Sequence, residues 1–258
     1  MYPTIAATLF LLFAGGCTGI GLGPPSSEAS KTIAKARTVG VISAIGHKFA
    51  LQKVGITAFG NELNEVPIDS WGIDNAVASK IAAQLSGRFN VKRIGVPQGT
   101  FASYEAPGAV FRDSDAELQA IVRKLAASQN CDLVILVTRA GVPFSSTNQT
   151  LVGLGMVEAG GALNPDNVNL YAVTTIHVYD GRTFERLHWH RVGLEIGAAL
   201  GGKVINAPYR TLDRTWWPAT PQAVHSEKLK AATRALVEQG LTTGIPEVMG
   251  MTKQAKAE

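Results

Sequence analysis

CDLVILVTRAG, residues 131–141, is the stretch on which the fold turns. From Leu133 to Val137 every side chain is aliphatic, so the segment has no polar face to offer water. A strand of that kind is central in its sheet and covered on both faces. Towards the amino terminus, Ser114 and Glu117 have the spacing of a capping box before Leu118, Ile121, Val122 and Leu125, an amphipathic helix. NVKRIGV (90–96) predicts a strand. Asp74 predicts the cap of a further helix whose Val77, Ile81 and Leu85 recur every four residues and which stops at Gly87. TVGVISAIG (38–46), KFALQKVGITAFG (48–60) and EVPIDSW (65–71) are β-branched and apolar, and predict strands.

Towards the carboxyl terminus, residues 142–167 are weakly patterned and predict a long loop. NLYAVTTIHVYDGRTFERLHWHRVGLEI (169–196) predicts two strands turning at Asp180 and Gly181. A loop containing AALGGK and PYRTLDRTWWPATP leads to a last helix, about 222–239, with Leu229, Ala232 and Leu236 inward and Gly240 as its stop. The expected fold is α/β: a single two-layer or three-layer domain over residues 37–240, with a mixed sheet, a C-terminal antiparallel hairpin and a C-terminal helix. Residues 241–258 form a tail expected to fray. The chain has 258 residues, 46% of them hydrophobic and 17% charged, which suits one packed core without disulfide staples. The net charge of +4 is scattered, with no basic run, which argues against a nucleic-acid partner.

The first 36 residues read differently. IAATLFLLF (5–13) is too short to span a bilayer as a helix and has the length of a signal-peptide core. The AGGC that follows, residues 14–17, resembles the lipobox of bacterial lipoproteins, whose cysteine is lipidated and becomes the first residue. It departs from that pattern in having Ala14 where Leu is usual and no Lys or Arg in residues 1–4. The alternative is a plain signal peptide or a buried helix, with Cys17 a small hydrophobe. The lipobox reading makes residues 1–16 a signal peptide and 17–36 a lipidated cysteine with a flexible tether, since TGIGLGPPSSEAS (18–30) is rich in Gly, Pro and Ser. Cys131, at the entry to the apolar run, is expected to be a buried small residue without a disulfide partner.

In element order, and in its AGGC, the chain resembles the TolB amino-terminal-like α/β domain of bacterial envelope lipoproteins. That group includes the curli-secretion lipoprotein and an activator of peptidoglycan synthases. The resemblance covers roughly residues 37–240 and carries no functional residues across. It implies protein binding at the envelope, and Thr18 in place of Asp after the cysteine implies the outer membrane.

Four constellations are candidates for chemistry. An odd pairing sum across the hairpin sets His188 opposite Thr175 or Val173 and His190 opposite Val173 or Tyr171. His177, His188, His190, Tyr179 and Arg186 then share one face, where three imidazoles could hold Zn²⁺ or Cu²⁺. Arg186 would oppose a cation there, a bulge would scatter the ring nitrogens, and the bland reading is a polar outer face. Gly197, Gly202 and Lys203 have the spacing of a phosphate loop, but Val204 lacks the hydroxyl for Mg²⁺ and Pro208 forbids the helix such a loop needs. Ser70 with Asp69 and His225 could be imagined as a triad, yet Ser and Asp there serve better as capping or turn residues. Tyr209, Arg210, Arg214, Trp216 and Trp217 are the residue types that carry binding energy, unless the tryptophans fold back over the sheet edge. The expectation is a non-enzymatic, lipid-anchored protein facing the periplasm. It needs no cofactor and binds the membrane through its anchor and an envelope protein or polymer through its domain. The alternative is a periplasmic metal-dependent hydrolase using the three histidines.

Overall fold

The structure of the protein, a computed structural model, describes residues 23–55, 60–106, 113–144, 149–159, 167–192 and 208–251. The run that decides the fold becomes β5 (Leu133–Arg139), every residue of it buried. It lies between β1 (Thr38–Ala44), which runs parallel to it, and β8 (Asn167–Asp180), which runs antiparallel. On the far side of β1 comes β4 (Asn90–Arg93), again parallel. Alternation along these strands sends Val39, Val41, Leu133, Ile135 and Val137 to one face, and Ile42, Val134 and Leu136 to the other.

Both faces are covered, so the domain has three layers. The first face carries α2 (Ile73–Leu85) and α5 (Glu227–Val248), whose Val77, Ile81, Leu85, Leu229, Leu236 and Leu241 complete the main core. The second carries α3 (Ala102–Glu105) and α4 (Ser114–Ala126), from which Leu118, Val122 and Ala126 pack on Val134 and Leu136. Each aliphatic side chain buried this fully contributes about 1.5–3 kcal/mol. Because α2 and α4 lie on opposite faces, the connections on either side of β1 diverge. In open α/β sheets such divergence leaves a crevice at the carboxyl ends of the strands.

The 14-residue β8 is the spine of a mixed sheet that has ten strands among the described residues. Its second half pairs with β5 and with β9 (Arg186–Val192). Its first half pairs with β7 (Thr150–Ala159) and β10 (Tyr209–Asp213). Beyond β7 lie β2 (Lys48–Val54) and then β3 (Glu62–Pro67), while β6 (Gly141–Pro143) also pairs with β7. No described helix is long and apolar enough to cross a membrane.

Several local expectations are corrected. The segment taken as tether contains α1 (Ser27–Lys35): the Ser26 hydroxyl accepts from the Ala29 amide at 3.1 Å, and Ile33 enters the main core. Cys17 and the rest of residues 1–22 lie outside the described residues. The loop expected over 142–167 is largely β6 and β7. Its glycines are there for close approach: a Cβ at Gly155 would collide with the Tyr171 hydroxyl and the Ala50 carbonyl, and one at Gly153, where φ is +67°, with Arg139 Nε. The helix cap at residue 74 is moved to Gly72, and that at 114 to Asp113, whose carboxylate accepts from the Asp115 and Ala116 amides. The last helix starts at Glu227 and runs through Gly240, which is buried against Val192, so residues 241–248 are helix and not tail. Cys131 is buried, as its position in the run implied.

Candidate functional site

The hairpin builds the site, and one extra residue in it decides which side chains meet. Near the turn the pairing sum is odd, with Tyr179 opposite Arg186. One residue further the register slips at a β-bulge: Leu187 has no partner, and Val178 faces His188, His177 faces Trp189 and Ile176 faces His190. A slip of one residue exchanges the two faces of a strand. His177, Tyr179 and Arg186 do share a face, as expected, but with Trp189 and Arg191. His188 and His190 point the other way.

The metal site of His177, His188 and His190 therefore does not assemble. His188 Nε2 lies 3.1 Å from the Gly23 carbonyl, and burial holds its pKa below the usual histidine range. His190 Nε2 is 3.0 Å from Glu247 Oε2 on α5. Among the described residues no three His, Cys, Asp or Glu side chains come close enough to hold a metal ion. The Ser70 triad does not form either, for Ser70 is exposed on a 3-10 turn and His225 Nδ1 accepts from the Trp71 indole at 3.3 Å. The phosphate-loop spacing of Gly197, Gly202 and Lys203 lies outside the described residues.

The aromatic and basic segment after Pro208 is divided. Tyr209 and Arg210 are exposed on β10, whereas Trp216 and Trp217 are half-buried against the main core. Lys228 Nζ stands 3.7 Å above the Trp216 ring, and Arg214 Nη2 pairs with Glu158 at 2.5 Å. The two tryptophans fold back on the domain, and the aromatic area they offer a partner is reduced.

The polar side chains converge elsewhere, at the carboxyl end of β5. Arg139, the last residue of that strand, is 8% exposed. Its Nη2 donates to Glu65 Oε1 on β3 at 2.9 Å and its Nη1 reaches Glu105 Oε2 on α3 at 3.5 Å. His47, just past the end of β1, lies 2.7 Å from the same Glu105 oxygen, and Lys48 Nζ donates to Glu65 Oε2 at 3.0 Å. Burial works to raise the Glu65 pKa, but the hydrogen bonds from Arg139 and Lys48 outweigh it and leave the carboxyl below its ordinary value. From Lys48 through Glu65 and Arg139 to Glu105 positive and negative groups alternate along one wall of the crevice.

Arg139 also lines a cavity of about 440 Å³. Its floor is Thr175 and His177 of β8 with Trp189 and Arg191 of β9, and Tyr104, Asp115 and Leu118 stand opposite. The Arg186 guanidinium grips Asp115 with two hydrogen bonds, 2.5 and 2.7 Å, and lies 5.9 Å from the Trp189 ring centre; Arg191 flanks the same ring at 6.0 Å. His177 is 5% exposed, and burial pushes its pKa down to about 3, with Arg186 and Arg191 adding to the shift. It is neutral. Its Nε2 lies 3.2 Å from Thr138 Oγ1, while its Nδ1, like Arg191 Nε, is buried and has no hydrogen-bond partner among the described residues. Leaving such a group unsatisfied costs about 1–3 kcal/mol. A second cavity of about 200 Å³ lies beside α2, where Asp74 Oδ1 accepts from Ser43 Oγ and the Ile45 and Gly46 amides. Its carboxylate is committed to the fold.

No protein family matches the chain, and no curated protein does. Among solved structures it is similar to the lipoprotein GNA1162 from Neisseria meningitidis, at 14% identity over 80% of this chain and 99% of that one, with a TM-score of 0.28. It is also similar to the hypothetical protein CT253 from Chlamydia trachomatis, at 9% identity over 80% and 97%, with a TM-score of 0.23. Likeness at this level leaves the reading of the chain to its own residues.

Proposed function

We propose that the protein is a lipid-anchored, non-enzymatic binding domain of the bacterial cell envelope, facing the periplasm, which takes an envelope protein or polymer at the crevice over β8 and β9. The observation that carries the binding half is the 440 Å³ cavity floored by His177 and Arg191, each with a buried nitrogen that the fold leaves unsatisfied. A stable fold satisfies most of its buried polar groups, so unsatisfied ones on residues that line a cavity support a ligand that completes them. Tyr209 and Arg210 on β10 and the exposed Arg214 supply a secondary contact, with Trp216 and Trp217 packed against the core. The anchoring half rests on AGGC and its resemblance to a lipobox, and Thr18 favours the outer membrane.

Mass spectrometry of the mature chain tests the anchor. The expected first residue is an acylated Cys17, and Cys17→Ser is expected to leave the membrane fraction. An unmodified Met1, or a chain starting beyond Thr18, contradicts it.

A further inference from the structure

His177 and Arg191 are diagonal neighbours on one face of the hairpin, because Thr175 stands opposite Arg191 and His177 opposite Trp189. Diagonal pairs lie about 7–8 Å apart at Cα, within joint reach of one small group. The charges around them are unequal. Arg186 is matched by Asp115, and Arg139 by Glu65 and Glu105. Among the described residues Arg191 has no carboxylate partner, and its guanidinium rests only against the Trp189 ring. Among the described residues, the lining of the cavity therefore includes one cation without a carboxylate partner, a buried guanidinium N–H and a buried imidazole nitrogen without hydrogen-bond partners, and an aromatic wall. When the Thr138 hydroxyl donates to His177 Nε2, the imidazole proton sits on Nδ1 and that nitrogen becomes a second donor beside the first.

We propose that this crevice binds a monocarboxylate, whose oxygens accept from Arg191 and His177 Nδ1 while the rest of the ligand lies along Trp189. The assignment rests on the reading above that this crevice is a binding site and names the chemical group it takes. One unmatched positive charge suits a monoanion better than a phosphate, which brings more negative charge than the cavity balances. A cavity of about 440 Å³ exceeds a bare carboxylate and is of the size that holds small ligands. Two sources share this chemistry, a free organic acid and the carboxyl terminus of a peptide.

The test titrates the full chain in detergent with benzoate, benzamide, inorganic phosphate, an alanine tetrapeptide with a free carboxyl terminus and the same tetrapeptide amidated. Binding is read by calorimetry and by the Arg191 Nε–H resonance. At least one of the two acids is expected to bind saturably and to move that resonance, with its amide and phosphate at least about tenfold weaker. Benzoate alone binding identifies a free acid as the source, and the tetrapeptide alone a peptide terminus. Arg191→Gln is expected to weaken the acid at least about tenfold, whereas Arg182→Gln, at the exposed hairpin turn, leaves it unchanged. The resonance reports on the unaltered chain, so the proposal stays testable if Arg191→Gln fails to fold. It is overturned if neither acid binds, if amide or phosphate binds as well as acid, or if a folded Arg191→Gln binds like the parent. Failure of both acids, while a photo-crosslinking residue placed at 189 still captures an envelope partner in intact cells, removes the carboxylate and spares the binding reading.

Discussion

At the scale of the residue, His177 carries a measurable signature of its burial. In an unfolded chain its imidazole takes a proton at about pH 6.5, and in the folded domain only at about 3. Between those values the unfolded state binds the proton and the folded state does not, so lowering the pH favours unfolding. The stability this residue contributes is complete above about pH 6.5 and drains away as the pH falls towards 3, a loss on the order of a few kcal/mol. Urea midpoints taken between about pH 7 and about pH 4.5 are expected to fall more steeply for the parent than for His177→Gln, which has no such proton to take up. Equal slopes would mean that His177 is accessible to solvent. Tyr171 is a second residue of this kind: burial raises its pKa, and its hydroxyl has no partner among the described residues. Tyr171→Phe removes a buried unsatisfied group and is expected to leave stability unchanged or raise it by up to about 1 kcal/mol.

At the scale of the element, β7 shows why part of the fold was hidden in the sequence. Gly153 and Gly155 read as loop residues, yet they are small because Arg139 and Tyr171, from other strands, occupy the space a side chain would need. Gly155→Ala drives a methyl group into both a hydroxyl and a backbone carbonyl, and only the first can move aside. The expected cost is about 3 kcal/mol or more, measured as a lowered urea midpoint. Where one strand's own composition decides its environment, as in the aliphatic run of β5, the reading from sequence is secure. The same holds for α2 and α4, whose apolar residues recur at helical spacing. It is insecure where a distant element supplies the reason. The candidate site shows the same division, since His177, Tyr179 and Arg186 fall on one face in any odd register, whereas Trp189 and Arg191 replace His188 and His190 only because Leu187 is the bulged residue. The convergence of Arg139, Glu65 and Glu105 from three elements leaves no mark in any local pattern. For α1 a signal did exist: Ser26 precedes Ala29, Ile33 and Ala36 at helical spacing, behind a run of Gly and Pro that suggests only a linker.

At the scale of the whole molecule, the docking of α1 alters what the proposed anchor does. Gly23 is held against β9 by its carbonyl contact with His188, and Pro25 packs beside Gly250 at the end of α5. A lipidated Cys17 is then six Cα steps from a fixed point of the domain, a reach of at most about 20 Å. An anchor at Cys17 is then expected to moor the domain closely, with the β9 and α5 ends towards the bilayer. A fluorophore at Met251 in reconstituted vesicles is expected to be quenched by headgroup quenchers more than one at Glu62, on the far edge strand; equal quenching would show a longer, free tether. The most direct measurement concerns the crevice itself. A photo-crosslinking aromatic residue placed at 189, where it replaces one ring with another, is expected to give a defined adduct in intact cells that Arg191→Gln abolishes, while the same probe at 210 gives less. An adduct formed only at 210, or one at 189 indifferent to Arg191→Gln, would contradict the account.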